Sequence, residues 1–258
     1  MDKTLTEQEI RNEVARLAPF HHKVDLPYNL STFIPELSRR PIEYTRVDNL
    51  VKHAFPSLLE VCGGSLQGKR VLDVACNCGG FTVEAAKLNS EYVLGVDIVK
   101  RYLEQANFIK RALNLEQVEF KEIGIESIDE SSVGLFDVTF CFGILYHLEN
   151  PILAMKQLSS VTKKIMLVDT DVMLTTETKA PLWRMNFPVV STVESHDITT
   201  SLWRGKGRTV QFTPNEDAVA DLLKFLGFSI IRKIEPKHEG LEERYYNGTR
   251  ATFLAVRS

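Results

Sequence analysis

Residues 69–81, Lys69-Arg70-Val71-Leu72-Asp73-Val74-Ala75-Cys76-Asn77-Cys78-Gly79-Gly80-Phe81, decide the fold. The β-branched and aliphatic run Lys69–Ala75 predicts a buried strand, and the small residues after it predict a tight turn. Phe81, Ala85 and Leu88, spaced i, i+4, i+7, predict a helix. The same alternation continues downstream. Strands are predicted at Tyr92–Val96, Val118–Glu122, Phe136–Phe142 and Lys164–Val168, and a helix between the first two carries Tyr102, Ala106, Ile109 and Leu113 on one stripe. Short strands alternating with helix-period segments predict an α/β fold, a parallel sheet with helices on both faces. Asn150-Pro151 reads as a helix cap followed by proline at the first helical position. Thr213-Pro214-Asn215-Glu216 reads as a capping box. Its helix would line up Val219, Leu222, Leu223 and Leu226 and stop at Gly227. The last two strands, Phe228–Ile234 and Thr249–Val256, come without a helix between them and predict a hairpin closing one edge of the sheet.

Composition excludes several classes. The chain has 258 residues, 44% hydrophobic and 25% charged, with enough apolar material for a sizeable core. Its 31 basic against 34 acidic residues give a net charge of −3. That balance removes the broad positive footprint of sequence-independent nucleic-acid binding, so nucleic acid is the disfavoured partner. The N-terminal stretch has no uninterrupted apolar core of a secretory signal, and no run approaches the roughly 18 apolar residues of a spanning helix, so no membrane association is expected. The four cysteines, Cys62, Cys76, Cys78 and Cys141, are too few and too irregular for a disulfide framework or a zinc ribbon. No metal is expected, and the default compartment is the cytoplasm.

In a doubly wound sheet, the turn after the first strand lies where nucleotides bind. This turn is not the dinucleotide fingerprint G-x-G-x-x-G, and the Asp73 carboxylate would repel a pyrophosphate. It suits a cationic or zwitterionic nucleoside such as S-adenosylmethionine. Asp97 ends the next strand, Val93-Leu94-Gly95-Val96-Asp97, 24 residues after Asp73. An acidic side chain at this spacing accepts hydrogen bonds from ribose hydroxyls.

Leu72-Asp73-Val74-Ala75-Cys76-Asn77-Cys78-Gly79, then Gly95-Val96-Asp97, then Phe136-Asp137-Val138 leading to Gly143-Ile144-Leu145-Tyr146-His147-Leu148, resembles the class I S-adenosylmethionine-dependent methyltransferases from about Gln67 onward. The resemblance implies a Rossmann-like seven-stranded sheet of order 3-2-1-4-5-7-6 with an antiparallel seventh strand, and S-adenosylmethionine as cofactor. Leu145–Leu148 and the stretch Asp25–Phe33 are similar to the branch containing the carboxymethyl-transferring enzyme of tRNA wobble uridines. The family's D-x-G-x-G-x-G is altered: Ala75 and Asn77 stand at the first two glycine positions and Gly79 keeps the third. Alanine is a mild change at negative φ, and asparagine is the best non-glycine choice for a left-handed backbone. The resemblance implies that Asp73, Ala75, Cys76, Asn77 and Gly79 line the methionine portion. It puts Asp97 and Ile98 at the ribose and one adenine face, and Ile125 and Glu126 at the adenine. Cys141 and Phe142 would pass under the reacting methyl, and Tyr146 or His147 would face the acceptor. A histidine one residue past a tyrosine at the strand's carboxyl end suits a general base, and equally packs against or caps the following loop, so His147 is the candidate catalytic residue.

Residues 1–66 exceed the minimal fold and are expected to form an N-terminal helical cap. The core spans 67–258, with 171–211 as an insert on the substrate side after the fifth strand. Both extra segments are expected to cover a small-molecule acceptor, with Tyr28, Asp169 and Trp183 as candidate contacts and Trp203 also in the insert. His21 and His22 read as exposed, and Cys76 and Cys78 as small apolar fillers. Three rival readings stay open. A tRNA wobble-base modifying transferase, perhaps using a carboxylated cofactor, would need a basic groove from Arg39, Arg40, Arg101, Lys110 and Arg111. The others are a catalytically silent methyltransferase-like scaffold and a nicotinamide oxidoreductase.

Overall fold

The computed structural model describes residues 4–35, 41–175, 180–187 and 210–258. The first part of the chain gives helix α1 (Glu7–Leu17), a two-residue ladder of β1 (Asp25–Leu26) with β2 (Leu30–Ser31), and the long helix α2 (Pro41–Cys62). The α/β alternation follows as β3 (Arg70–Val74), α3 (Gly80–Lys87), β4 (Tyr92–Asp97), α4 (Lys100–Ala112), β5 (Val118–Glu122), α5 (Glu130–Val133), β6 (Phe136–Phe142), α6 (Pro151–Val161) and β7 (Thr162–Asp171). An antiparallel ribbon of β8 (Trp183–Asn186) and β9 (Gln211–Pro214) precedes α7 (Glu216–Phe225), β10 (Ile230–Ile234), α8 (Glu243–Tyr246) and β11 (Arg250–Val256). Seven strands form one sheet in the order β5-β4-β3-β6-β7-β11-β10. Numbered along the chain within the sheet, this is 3-2-1-4-5-7-6, and β11 runs antiparallel to both its neighbours. Among the described residues no helix is long and apolar enough to cross a membrane.

The chain forms two compact units, residues 1–124 with 237–242, and residues 125–236 with 243–258. In the first, β3, β4 and β5 pair in parallel, and the central residues of β3 and β4, Val71, Leu72, Val93 and Leu94, are fully buried. Such two-faced burial is why these strands read as continuous apolar runs rather than alternating ones. Thr6 caps α1 in a reciprocal box with Glu9, and the helix buries Ile10, Val14 and Leu17 in a cluster with Phe20, Phe108, Ile109 and Ala112. The α4 stripe is therefore wider than the expected one: Leu103, Phe108 and Ala112 join Ala106 and Ile109 inside, while Tyr102 and Leu113 are half-buried.

In the second unit β6 and β7 pair in parallel, and β11 is inserted between β7 and β10. Three expectations are corrected here. The final strands are separated by the short helix α8 rather than following each other directly. Helix α7 is capped by Asn215, not Thr213: the Asn215 Oδ1 accepts the Ala218 N–H at 2.9 Å and the Leu182 N–H at 3.0 Å. The ribbon holds Thr213 and Pro214 extended against Arg184 and Trp183, so the helix cannot begin until they have passed. Asn150 occupies the cap position of α6 with Pro151 inside it, but its side chain makes no capping bond. Gly227 stands just past α7 with φ +87, a conformation few side chains tolerate.

Candidate functional site

The turn between β3 and α3 is built from alternating left-handed residues: Ala75 at φ +55, Asn77 at +52 and Gly79 at +81. The mild-change reading of Ala75 required a negative φ and is corrected. β3 ends at Val74 because Ala75 leaves the extended region, at a cost to a non-glycine residue of roughly 1–2 kcal/mol. The surroundings hold this geometry. Asn77 N–H donates to Asp97 Oδ2 at 2.9 Å and its side-chain oxygen accepts the Cys78 N–H at 2.7 Å. Backbone bonds from Cys76 to Val96 and from Gly79 to Cys76 close the turn, at 3.0 and 2.9 Å. Gly79 is also required sterically, since a Cβ there would lie 2.7 Å from the Phe120 ring. Gly95 on β4 faces the same ring, where a Cβ would stand 2.6 Å away. Phe120 thus explains two glycines that the sequence offers only as a pattern.

Asp73 and Asp97 lie at the ends of neighbouring strands of this unit, and both are almost fully buried. The Asp73 Oδ2 accepts the Thr82 hydroxyl at 2.6 Å. Burial pushes its pKa up from 3.8 to about 7, against the pull of the Thr82 bonds and with a further push from the like charge of Asp97. Burial also raises Asp97, opposed by backbone N–H groups of Val99, Asn77 and Ile98. Because desolvation is the largest cause for both, a positive charge brought to the turn would favour the ionised form of each. Ile98 stands beside them, 43% exposed. The thiols of Cys76 and Cys78 are buried, and burial pushes Cys78 up to about 12, so both are inert fillers.

His22, expected on the surface, is buried: its Nδ1 accepts the Gly80 N–H at 3.1 Å. No periodicity in the sequence marks it. Tyr28 is 51% exposed, at φ +61, and its hydroxyl donates to the Leu5 carbonyl at 3.3 Å. Of the residues proposed for a basic groove, Arg101 is engaged with the Leu17 and Ala18 carbonyls. Lys110 and Arg111 sit in the last turn of α4, where the helix dipole favours cations. Arg39, Arg40 and Trp203 lie outside the described residues.

In the second unit, Ile125 is buried and Glu126 exposed in a single helical turn, Ile125–Ser127. Cys141 and Phe142 end β6, both buried, and the Phe142 ring stacks on Phe140 with centroids 5.1 Å apart. Gly143 turns the chain at φ +71 while its N–H bonds the Asp169 carbonyl at 2.8 Å. The next turn, Leu145–His147, brings the half-buried Tyr146 and His147 rings within 4.1 Å of each other. His147 Nδ1 lies 3.4 Å from the Gln211 amide nitrogen. Trp183 is half-buried at the start of β8.

Asp169 does not present a carboxylate to an acceptor, which corrects its expected role. It is fully buried, with Oδ1 accepting from Arg250 and Oδ2 from Tyr245 and Thr252 at 2.7 and 2.8 Å. The same Arg250 guanidinium reaches Asp171 Oδ1 at 2.7 Å, and Arg244 donates to Asp171 Oδ1 and Oδ2 at 2.8 and 3.0 Å. The cluster follows from register: β11 sets Arg250 opposite Asp171 and Thr252 opposite Asp169. The Arg250 carbon also lies 5.8 Å from the Tyr146 ring centre, so the carboxylates fix a cation against that aromatic. Sequence reading missed Arg250, Tyr245 and Thr252 because strand register is not visible in composition or spacing.

A seven-stranded 3-2-1-4-5-7-6 sheet with carboxylates ending its first two strands defines a Rossmann-like protein of the methyltransferase kind. A family profile described as a methyltransferase domain matches residues 65–212, more than half the chain, and the chain belongs to that family. Among curated proteins it is similar to a tRNA U34 carboxymethyltransferase from Colwellia psychrerythraea, 29% identical over 184 residues, covering 69% of this chain and 50% of the relative. It is also similar to a ubiquinone biosynthesis O-methyltransferase from Acinetobacter baumannii, 29% identical over 100 residues, covering 39% of this chain and 42% of the relative. The chain thus spans about half the length of the curated relatives it matches. Among solved structures, the N-terminal domain of EvdMO1, crystallised in the presence of SAH and D-fucose, aligns with a TM-score of 0.69 at 17% identity, covering 100% of this chain and 98% of that one. The magnesium protoporphyrin IX methyltransferase of Synechocystis PCC 6803 with bound SAH aligns with a TM-score of 0.54 at 19% identity, covering 83% of each chain.

Proposed function

We propose that this chain is an S-adenosylmethionine-dependent methyltransferase that transfers a methyl group to an O, N or S atom of a small-molecule acceptor. The observation that carries the reading is the buried Asp73–Asp97 pair at the β3 turn. Its chemistry fits the cofactor. The Asp97 oxygens accept the Val99 and Asn77 N–H groups at 2.9 Å, and a carboxylate, with about four lone-pair sites, has capacity left for ribose hydroxyls. Asp73, held near neutrality by burial, gains an ionised state when a cationic group approaches. When bound, the cofactor supplies an electrophilic methyl carbon. The chain's own residues then have to align the acceptor and exclude water, and alignment alone is worth up to about 7–11 kcal/mol.

In this reading the turn residues Ala75, Cys76, Asn77 and Gly79 shape the site, with Ile98 against the base. Ile125, Glu126, Cys141, Phe142 and Tyr146 keep the cofactor roles that the resemblance implies, and Tyr28 and Trp183 remain acceptor candidates. The segments 1–66 and 171–211 are read as the acceptor cover, and the cytoplasm as the compartment. Similarity to tRNA U34 carboxymethyltransferases favours a second reading, a wobble-base modifying transferase. Titration with S-adenosylhomocysteine, followed by labelled-methyl transfer to a small-molecule set and to tRNA, tests both. No binding would overturn the cofactor reading; label on tRNA alone would replace the small-molecule acceptor.

Two predictions follow from the geometry. A ligand whose cation selects ionised Asp73 should bind about tenfold more tightly per pH unit up to about 7, then level off, and Asp73→Asn should flatten the profile. Without ligand the sign is opposite. The folded state keeps a proton that the unfolded chain has lost between pH 3.8 and about 7, so this group's contribution to stability falls as pH rises through that window. Calorimetry at stepped pH measures the first effect. The second prediction concerns His147, beside Tyr146 and Gln211. His147→Ala should leave cofactor affinity intact and slow transfer to a hydroxyl acceptor by roughly 10²–10⁴-fold; unchanged turnover would remove it from the catalytic set.

A further inference from the structure

We propose that His22 is a positioning residue that keys the N-terminal segment to the β3–α3 turn and sets that turn for a nucleoside without a pyrophosphate. The inference rests on the reading of this turn as the cofactor site. Its Nδ1 accepts the Gly80 N–H at 3.1 Å, while its own backbone N–H points to Cys78 Sγ at 3.3 Å, so one residue grips the turn on both sides of Gly79. Its ring stands edge-on to Phe81, centroids 5.5 Å apart. The fit is close: a Cβ on Gly80 would lie 2.7 Å from His22 Nδ1 and 2.8 Å from Val47 Cγ2. An accepting Nδ1 assigns the proton to Nε2 and requires a neutral imidazole. Burial, with the facing charges of His21 and Arg46, keeps the ring neutral by holding its pKa well below the ordinary value.

The segment that carries His22 is itself fixed. Gln105 on α4 donates to the Leu17 and Pro19 carbonyls at 2.7 and 2.9 Å, Arg101 to Ala18 at 2.7 Å, and the Thr32 hydroxyl to the His22 carbonyl at 2.7 Å. Two consequences follow. Left-handed non-glycine residues persist only where their surroundings over-determine them, and His22 braces the turn that carries Ala75 and Asn77 from outside the α/β core, through Cys78 and Gly80. The N–H groups opening the first helix are also where dinucleotide-binding folds seat a pyrophosphate. Here that of Gly80 is already satisfied by an imidazole.

The test compares His22→Leu, which keeps bulk without an acceptor, with His22→Asn, whose side-chain oxygen can stand near the Nδ1 position. S-adenosylhomocysteine is titrated against each full chain, and the Gly80 amide is followed in ¹⁵N spectra. His22→Leu should weaken binding by on the order of tenfold and shift the Gly80 amide, and His22→Asn should return both toward wild type. Wild-type affinity in His22→Leu, or no recovery in His22→Asn, would overturn the proposal. If the leucine variant does not fold, His22→Gln replaces it: its acceptor falls at the Nε2 position, and equal affinity of the Asn and Gln variants would equally overturn it. A wild-type chain that fails to bind at all defeats the reading of the turn instead, which separates the two failures.

Discussion

Asp97→Ala is expected to weaken cofactor binding by roughly 10²-fold or more while the chain stays folded. Charge-assisted hydrogen bonds from two ribose hydroxyls are worth about 1.5–3 kcal/mol each, and every 1.4 kcal/mol is about a factor of ten. The structure adds a second contribution, because the same carboxylate holds the Asn77 and Val99 N–H groups at 2.9 Å. Removing it releases a turn whose Asn77 backbone is left-handed. Asp97→Asn separates the two effects, keeping one oxygen acceptor without the charge, and should fall between wild type and alanine. Calorimetry with S-adenosylhomocysteine, with a melting curve as the folding control, measures this. A dissociation constant within a few-fold of wild type would remove Asp97 from the cofactor site.

The second large effect is on stability. Arg250→Met strands a fully buried Asp169 carboxylate, since both side chains of the pair are 0% exposed. Removing one partner of a buried pair typically costs about 3–5 kcal/mol, because the remaining charge is left uncompensated. At about 2–4 °C per kcal/mol for a chain of this size, the melting temperature should fall by roughly 6–20 °C. The double variant Asp169→Leu with Arg250→Met removes both charges and should recover much of that loss. A single variant that melts like wild type would show that the pair contributes little. The same variant tests the link to Tyr146, whose ring lies 5.8 Å from the guanidinium carbon.

The central strands were legible because burial on both faces leaves an apolar run, as in Phe136–Phe142, whose limits are the expected ones; the edge strand Val118–Glu122, buried only at Val118, also has the expected limits. So was the acidic pair, since both carboxylates sit at strand ends that the pattern locates. Three features were not. The positive φ of Ala75 contradicts that residue's own preference and is held by the bonds its neighbours make, Asn77 N–H to Asp97, Cys76 N–H to Val96 and Gly79 N–H to Cys76. The cap of α7 moved two residues because the ribbon with β8 claims Thr213 and Pro214 first. His22 and Arg250 owe their burial to partners 58 and 81 residues distant, and periodicity reports which face is apolar, not what will meet it.

The placement of β11 bears on how the protein is made. Ile165, Met166, Leu167 and Val168 of β7 pair on one side with Val256, Ala255, Leu254 and Phe253, residues that a ribosome delivers about ninety positions later. Until then the nascent chain carries an apolar strand with one open edge, the kind of surface that recruits other chains. The same delay leaves Asp169 waiting for its guanidinium. Translation products that stop before Arg250 should therefore appear as aggregates or chaperone-bound species rather than as shortened but folded protein.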